Sequence, residues 1–139
     1  MTPNAANYSD FRRLEVWHDA IELVTQVYRR SQSFPIRERY GLTAQLRRAA
    51  VSVPTNIAEG YGRETLGEYI NQLSVARGSL NEVETLCAIC TRLGFGDTRS
   101  IEQLADLVSA LQRRLTRLRT RLAEKKKRPR ERHPRSPKP

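Results

Sequence analysis

Apolar residues recur along this chain at alternating spacings of three and four, the period that gathers side chains on one side of an α-helix. Leu14, Trp17, Ile21, Val24 and Tyr28 follow it first and predict a helix over ~10–32. A second stripe, Val16, Ala20, Leu23 and Val27, widens the apolar face beyond what a two-helix seam needs. That width predicts cover from a neighbouring helix on one part and from another subunit on the rest. Ser31 to Pro35 then breaks the pattern.

A second helix is predicted over ~38–61, with Leu42, Leu46, Ala49, Val53, Ile57 and Tyr61 in register. Pro54 lies inside it and cannot donate to the carbonyl of Ala50, so a kink is expected there, the stripe resuming at Ile57 and Tyr61. Gly60 to Glu64 supplies a turn, and Thr65 with Glu68 has the spacing of a capping box.

The third helix, ~66–93, has the clearest seam: Leu66, Tyr69, Leu73, Ala76, Leu80, Val83, Cys87 and Cys90. Gly94 is suited to a left-handed cap with Phe95 folding back onto the last turn. Ser100 and Gln103 suggest a second capping box at the start of a fourth helix. Ile101, Leu104, Val108, Leu111, Leu115, Leu118 and Leu122 carry that helix to about Arg128, roughly 40 Å, before Pro129. Short turns between long helices imply antiparallel neighbours. The predicted fold is therefore an all-α, antiparallel up-down four-helix bundle over 10–127, with a flexible segment at 1–9 and a disordered, basic, proline-rich tail at 128–139.

Composition agrees with one modest core: 139 residues, 38% of them hydrophobic. No apolar run approaches the ~18 residues that cross a bilayer, and the first residues do not have the layout of a secretory signal, so a cytoplasmic location is expected. Two cysteines are too few for a disulfide framework.

The net charge of +10 is unevenly placed. Residues 1–112 hold 12 Arg and no Lys against 13 Asp and Glu; residues 113–139 hold 13 Lys and Arg against Glu124 and Glu131, a net of +11 there. A nearly neutral body thus carries a polycationic end.

Cys87-Ala-Ile-Cys90 has the spacing of a redox or metal motif, but it falls mid-helix on the apolar seam, where core packing is the simpler account. Only His18 and His133 could join it as histidine ligands, so no metal or other cofactor is assigned. No nucleophile and base pair, glycine-rich phosphate loop or catalytic histidine motif is present, and no enzymatic activity is expected. Glu59 stands in a mostly uncharged stretch. It is either a desolvated functional carboxylate or the partner of an arginine such as Arg77, fixing helix register or a subunit contact.

The cations of the fourth helix and tail carry the functional signal: Arg113, Arg114, Arg117, Arg121, Lys125, Lys126, Lys127, Arg128, Arg130 and Arg132. Favourable interaction with the helix dipole accounts for one or two lysines near a C-terminus, not for this density. Phosphate neutralisation with counterion release accounts for all of it and predicts nucleic acid, RNA or DNA, as the partner. No aromatic follows Phe95 to stack on bases, so this segment is expected to bind backbones with weak sequence preference.

The block running from Phe34-Pro-Ile-Arg-Glu-Arg-Tyr through Val53-Pro-Thr-Asn-Ile-Ala-Glu-Gly-Tyr-Gly-Arg63, with Ala76-Arg-Gly-Ser-Leu80 and Glu82 after it, closely resembles the bacterial four-helix bundle family. That family includes proteins encoded in intervening sequences of large-subunit ribosomal RNA genes and the accessory variability determinant of diversity-generating retroelements. The resemblance spans about Phe11 to Phe95. It implies a ring-shaped homopentamer with a basic surface that, in retroelement members, binds nucleic acid and associates with a reverse transcriptase. It also implies Arg47, Arg48 and Arg63 as further polyanion contacts and a structural role for Asn56, Glu59 and Arg77; the helical pattern, kink, turn and cap read above give Trp17, Pro54, Gly60 and Gly94 structural roles as well. The cationic end beyond about Leu122 lies outside the family pattern and rests on charge alone.

The expected function is a non-enzymatic, homo-oligomeric nucleic-acid-binding accessory protein. A protein-interaction scaffold is the alternative. A membrane-surface role is disfavoured because the tail lacks apolar anchors.

Overall fold

The long third seam forms one uninterrupted helix whose stripe is buried from Tyr69 to Cys90. In the computed structural model, which describes residues 10–128, the main helices are α1 (Glu15–Arg30), α2 (Leu42–Tyr61), α3 (Leu66–Leu93) and α4 (Thr98–Lys127). Consecutive helices pack against one another and α4 returns to α1, closing an antiparallel up-down four-helix bundle. Among the described residues there is no strand.

Tyr69, Leu73, Ala76, Leu80, Val83, Cys87 and Cys90 of α3 are all buried. They meet Leu46, Ala49, Val53 and Ile57 of α2 and Ile101, Leu104, Val108, Leu111 and Leu115 of α4 in one core. Each fully buried leucine there contributes about 1.5–3 kcal/mol relative to exposure.

On α1 the two stripes differ in burial, a choice the sequence pattern left open. Val16, Ala20, Leu23 and Val27 form the buried face, whereas Ile21 and Tyr28 are exposed and Leu14, Trp17 and Val24 are half-buried. Both stripes share the helical period, and only the positions of α2 and α4 decide which points inward. The helix is also shorter than predicted. Leu14 is extended, a 3₁₀ turn at Phe11–Arg13 precedes it, and another at Ser31–Ser33 follows. Trp17 packs its ring 5.3 Å from Phe11 and 5.2 Å from His18, fixing this entry.

α2 begins later than expected, at Leu42, because Gly41 is not helical and the Glu38 carboxylate caps the Leu42 N–H at 3.1 Å from a separate turn. The helix continues through Pro54, which is buried. Around it Ser52, Thr55 and Asn56 return hydrogen bonds to the carbonyls of Ala49, Val51 and Ser52. Gly60 belongs to the last turn of α2 rather than to the connection. A Cβ there would stand 2.8 Å from Gln72 Cβ and 3.3 Å from the Tyr69 carbonyl, so its bare backbone permits the close approach of α3.

Thr65 caps α3 as expected, accepting from the Glu68 N–H at 3.1 Å. The far end closes on Gly94 at φ 73°, with the Gly94 and Phe95 N–H groups bonded to the carbonyls of Thr91 and Cys90. That pairing is a Schellman cap, and Phe95 is buried beside Phe34.

The cap of α4 differs from the predicted one. Asp97, not Ser100, is the N-cap, accepting from the Ser100 N–H at 3.1 Å. Ser100 and Gln103 instead receive Arg30, whose Nη1 donates to Ser100 Oγ at 3.0 Å and to Gln103 Oε1 at 2.6 Å. These bonds tie α1 to α4 at the α3–α4 end of the bundle.

Candidate nucleic-acid interface

α4 is the longest helix, and its leucine seam is progressively uncovered toward the C-terminus. Leu111 and Leu115 are buried, but Leu118 and Leu122 are only partly so. Around this seam, residues 113–128 carry nine Lys and Arg against Glu124 alone, a net of +8. Arg113, Arg114, Arg117, Arg121, Lys125, Lys126, Lys127 and Arg128 are all exposed.

Spacing sorts these cations. Arg114, Arg117, Arg121, Lys125 and Arg128 follow one another by three or four and form one ridge, about 21 Å long at 1.5 Å per residue. Between its first part and the start of α1 lies a cleft of about 520 Å³, lined by Arg13, Glu15, Arg114, Arg117, Leu118 and Arg121 among others. Arg114 also pairs with Asp19 of α1, the only salt bridge among the described residues. Among the described residues, four guanidinium groups, one of them paired with Asp19, and one carboxylate line this cleft; guanidinium is the side chain that can meet phosphate oxygens in bidentate fashion.

The remaining predicted residues are divided by the fold. Lys126 turns toward α3, where its Nζ would stand 3.0 Å from a Cβ on Gly67. Arg63 is exposed in the α2–α3 connection, at the same end of the bundle as Lys125 to Arg128. Arg47 and Arg48 are not brought there: they sit in the first third of α2, toward the opposite end. Arg47 is half-buried, donating to Ser31 Oγ at 3.0 Å with its guanidinium 4.7 Å from the centre of the Tyr28 ring. Arg130 and Arg132 lie outside the described residues, as do most of the expected tail and the 1–9 segment.

Two expectations for buried polar groups are corrected. Glu59 is exposed and forms no ion pair with Arg77. In the antiparallel α2–α3 hairpin the neighbouring Gly60 packs against Tyr69 and Gln72, so Arg77 lies about five residues further along α3, a separation of roughly 8 Å along the axis. Arg77 is half-buried, and its carbonyl accepts from Gln112 of α4 at 3.1 Å.

Sequence reasoning missed Arg13 and Arg119. Arg13 reaches the cleft because the antiparallel register sets the start of α1 beside the end of α4, a relationship visible only once that register is assigned. Arg119 is half-buried on the α3 side, where it lines a shallow recess with Ile70 and Lys127.

Cys87 and Cys90 are buried free thiols. Burial first, then Cys90 and Glu84, push the Cys87 thiol up to about 12. Such a thiol is neither a nucleophile nor a ready metal ligand. No cluster of three or more His, Cys, Asp or Glu side chains that could hold a metal occurs among the described residues. No helix among them is long and apolar enough to cross a membrane.

The family model described as 23S rRNA-intervening sequence protein matches residues 12–117. The chain belongs to this family. The match takes in all of α1 to α3 and most of α4, and it stops inside the cationic ridge, between Arg117 and Arg121. Among solved structures, a protein with unknown function from the S23 ribosomal protein family of Bacteroides thetaiotaomicron VPI-5482 has the same fold. It aligns with a TM-score of 0.68 at 19% identity, over 74% of this chain and 96% of that one. No curated protein matches the chain. Neither description names a reaction. For this intervening-sequence family member, Arg121, Lys125 and Arg128 of the ridge lie beyond the matched residues.

Proposed function

We propose that this protein is a non-enzymatic accessory protein of the cytoplasm that binds RNA or DNA through the phosphate backbone. The ridge from Arg114 to Arg128 and the adjoining arginine-lined cleft carry the reading. A net of +8 over residues 113–128 on one exposed helix end attracts polyanions and releases their counterions. The family description, which names 23S rRNA, supports RNA as the first ligand to try. The protomers are proposed to assemble as a homopentameric ring, with a reverse transcriptase as a partner to be tested. The bundle forms the body, and the tail with Arg130 and Arg132 extends the basic surface.

Fluorescence anisotropy with duplex DNA and with RNA at two salt concentrations tests this reading. Affinity should fall steeply as salt rises. Truncation after Glu124 keeps Leu115, Leu118 and Leu122 and should weaken binding without unfolding the bundle. A cut after Gln112 is uninformative, because it removes the fully buried Leu115. Undiminished binding after the Glu124 cut, or salt-independent binding, would overturn the assignment of the ridge.

A second reading, a protein-interaction scaffold, draws on the exposed Ile21, Val75, Ile89 and Leu93 on α1 and α3. A scaffold alone gives no salt-dependent complex with nucleic acid. Light scattering at the mass of a single 16.0 kDa chain would remove the oligomeric part of either reading.

A further inference from the structure

At the other end of the bundle from the cationic ridge, the start of α2 and the last turns of α1 enclose a second groove, of about 680 Å³. Its chemistry differs from that of the α4 cleft. Val51 and Ala44 give it an apolar floor, Tyr28 and Tyr40 supply aromatic faces, and Arg39, Arg47 and Arg48 supply the charge; among the described residues no carboxylate lines it. Tyr40 is 86% exposed and Tyr28 44%, so both rings are open to solvent. Each carries a guanidinium over its face, Arg47 at 4.7 Å from the Tyr28 centroid and Arg39 at 5.6 Å from the Tyr40 centroid.

We infer that this groove binds unpaired nucleotides, the bases stacking on Tyr40 and Tyr28 and the flanking phosphates meeting Arg39 and Arg48. The inference rests on the nucleic-acid reading above and deepens it. An unpaired base is a flat apolar surface tethered to an anion, and the groove offers the complement of both parts. The bases of a duplex are stacked and paired inside it and cannot enter, so a duplex gains only phosphate contacts. The α4 ridge has arginines and lysines but no aromatic residue, and is suited to backbones alone. The protein therefore carries two separated sites, one indifferent to strandedness and one selective for single strands. Along α1, Tyr28 of the groove and Asp19, the partner of Arg114, are nine residues apart, about 14 Å at 1.5 Å per residue.

Tyr40 lies just before α2 and is almost wholly exposed, so its truncation leaves the core intact. Anisotropy is measured on the full chain with a mixed-sequence single-stranded RNA and a duplex RNA of equal length. Tyr40→Ala should weaken the single-stranded complex about fivefold or more and leave the duplex complex within about twofold, whereas Tyr40→Phe should retain both. Arg48→Ala should again weaken the single-stranded complex the more. If Tyr40→Ala leaves single-strand binding unchanged while charge reversal at Arg117 and Arg121 abolishes duplex binding, the inference fails and the ridge assignment stands. If neither RNA binds the unaltered protein, the broader reading fails with it. A lower oligomer mass for Tyr40→Ala in light scattering would overturn the inference in favour of a contact between copies of the chain, and an acidic peptide competing equally with both RNAs would overturn it in favour of a protein ligand.

Discussion

Arg114 of α4 pairs with Asp19 of α1, and this ion pair borders the arginine-lined cleft. Both side chains are substantially exposed, at 49% and 36%. Water screens such a pair, so its contribution to stability is below about 1 kcal/mol. Its effect on the cleft is larger, because Asp19 occupies a guanidinium that would otherwise be available to phosphate. Asp19→Asn should therefore change the midpoint of urea unfolding very little and tighten the complex with duplex DNA at low salt. Weaker binding would show that the pair positions Arg114 rather than competing for it.

Arg117 and Arg121 face solvent one turn apart on the ridge and form no hydrogen bond or ion pair with the described residues. Replacing both by glutamate should leave stability within about 0.5 kcal/mol, as for other surface positions. On duplex DNA the slope of log affinity against log salt should shrink by about 0.9 for each phosphate that the variant no longer neutralises. Salt titrations of the variant beside the unaltered protein give that slope. An unchanged slope would place the phosphate-binding groups elsewhere.

How much of this molecule could be read from its sequence depended on whether a feature is local. The α3 seam, the Thr65 cap and the Gly94 terminus each depend on residues within one or two helical turns, and each was legible. The inward stripe of α1 was not, because Leu14 to Tyr28 and Val16 to Val27 share one period and the choice between them is made by neighbouring helices. The start of α4 was misplaced for a related reason. Ser100 and Gln103 have capping spacing, but Asp97 takes the cap and Arg30, distant in sequence, takes both side chains. Charge density along α4 is a one-dimensional property and could be counted. The approach of Arg13 to that ridge, and of Tyr28 to Arg47, arises only in the folded register.

Glycines on α2 and α3 should respond in opposite directions to alanine. At Gly60 a Cβ would stand 2.8 Å from Gln72 Cβ, so Gly60→Ala must push the two helices apart and should cost about 1–3 kcal/mol. At Gly78, inside α3, a Cβ meets nothing within 4 Å, and Gly78→Ala should stabilise by about 0.4–1 kcal/mol through reduced freedom of the unfolded chain. Urea unfolding of both variants checks the pair. Stabilisation at Gly60 would contradict the close approach of the helices.

Burial of ionisable groups in α3 sets an alkaline limit to the fold. The Cys87 thiol is pushed from its usual 9.0 up to about 12, chiefly by burial and then by Cys90 and Glu84. Tyr69 is likewise pushed from 10.0 up to about 12, by burial and then by Tyr61. Both groups hold their proton more tightly when folded than when unfolded. Between the unfolded and folded values the unfolded chain therefore binds fewer protons, and stability falls as pH rises. The loss should begin near pH 9 from Cys87, gain a second contribution above pH 10 from Tyr69, and be absent at neutral pH. Urea melts at about pH 7, 9 and 10.5 test this, with Cys87→Ala as the control. That variant should start from lower stability, because it loses a buried side chain, yet show a shallower decline between about pH 9 and 10.5. The same burial predicts that Cys87 and Cys90 resist an aromatic disulfide reagent at about pH 8 in the native protein and react once urea unfolds it. Prompt native-state reaction at both thiols would show that this part of α3 opens readily.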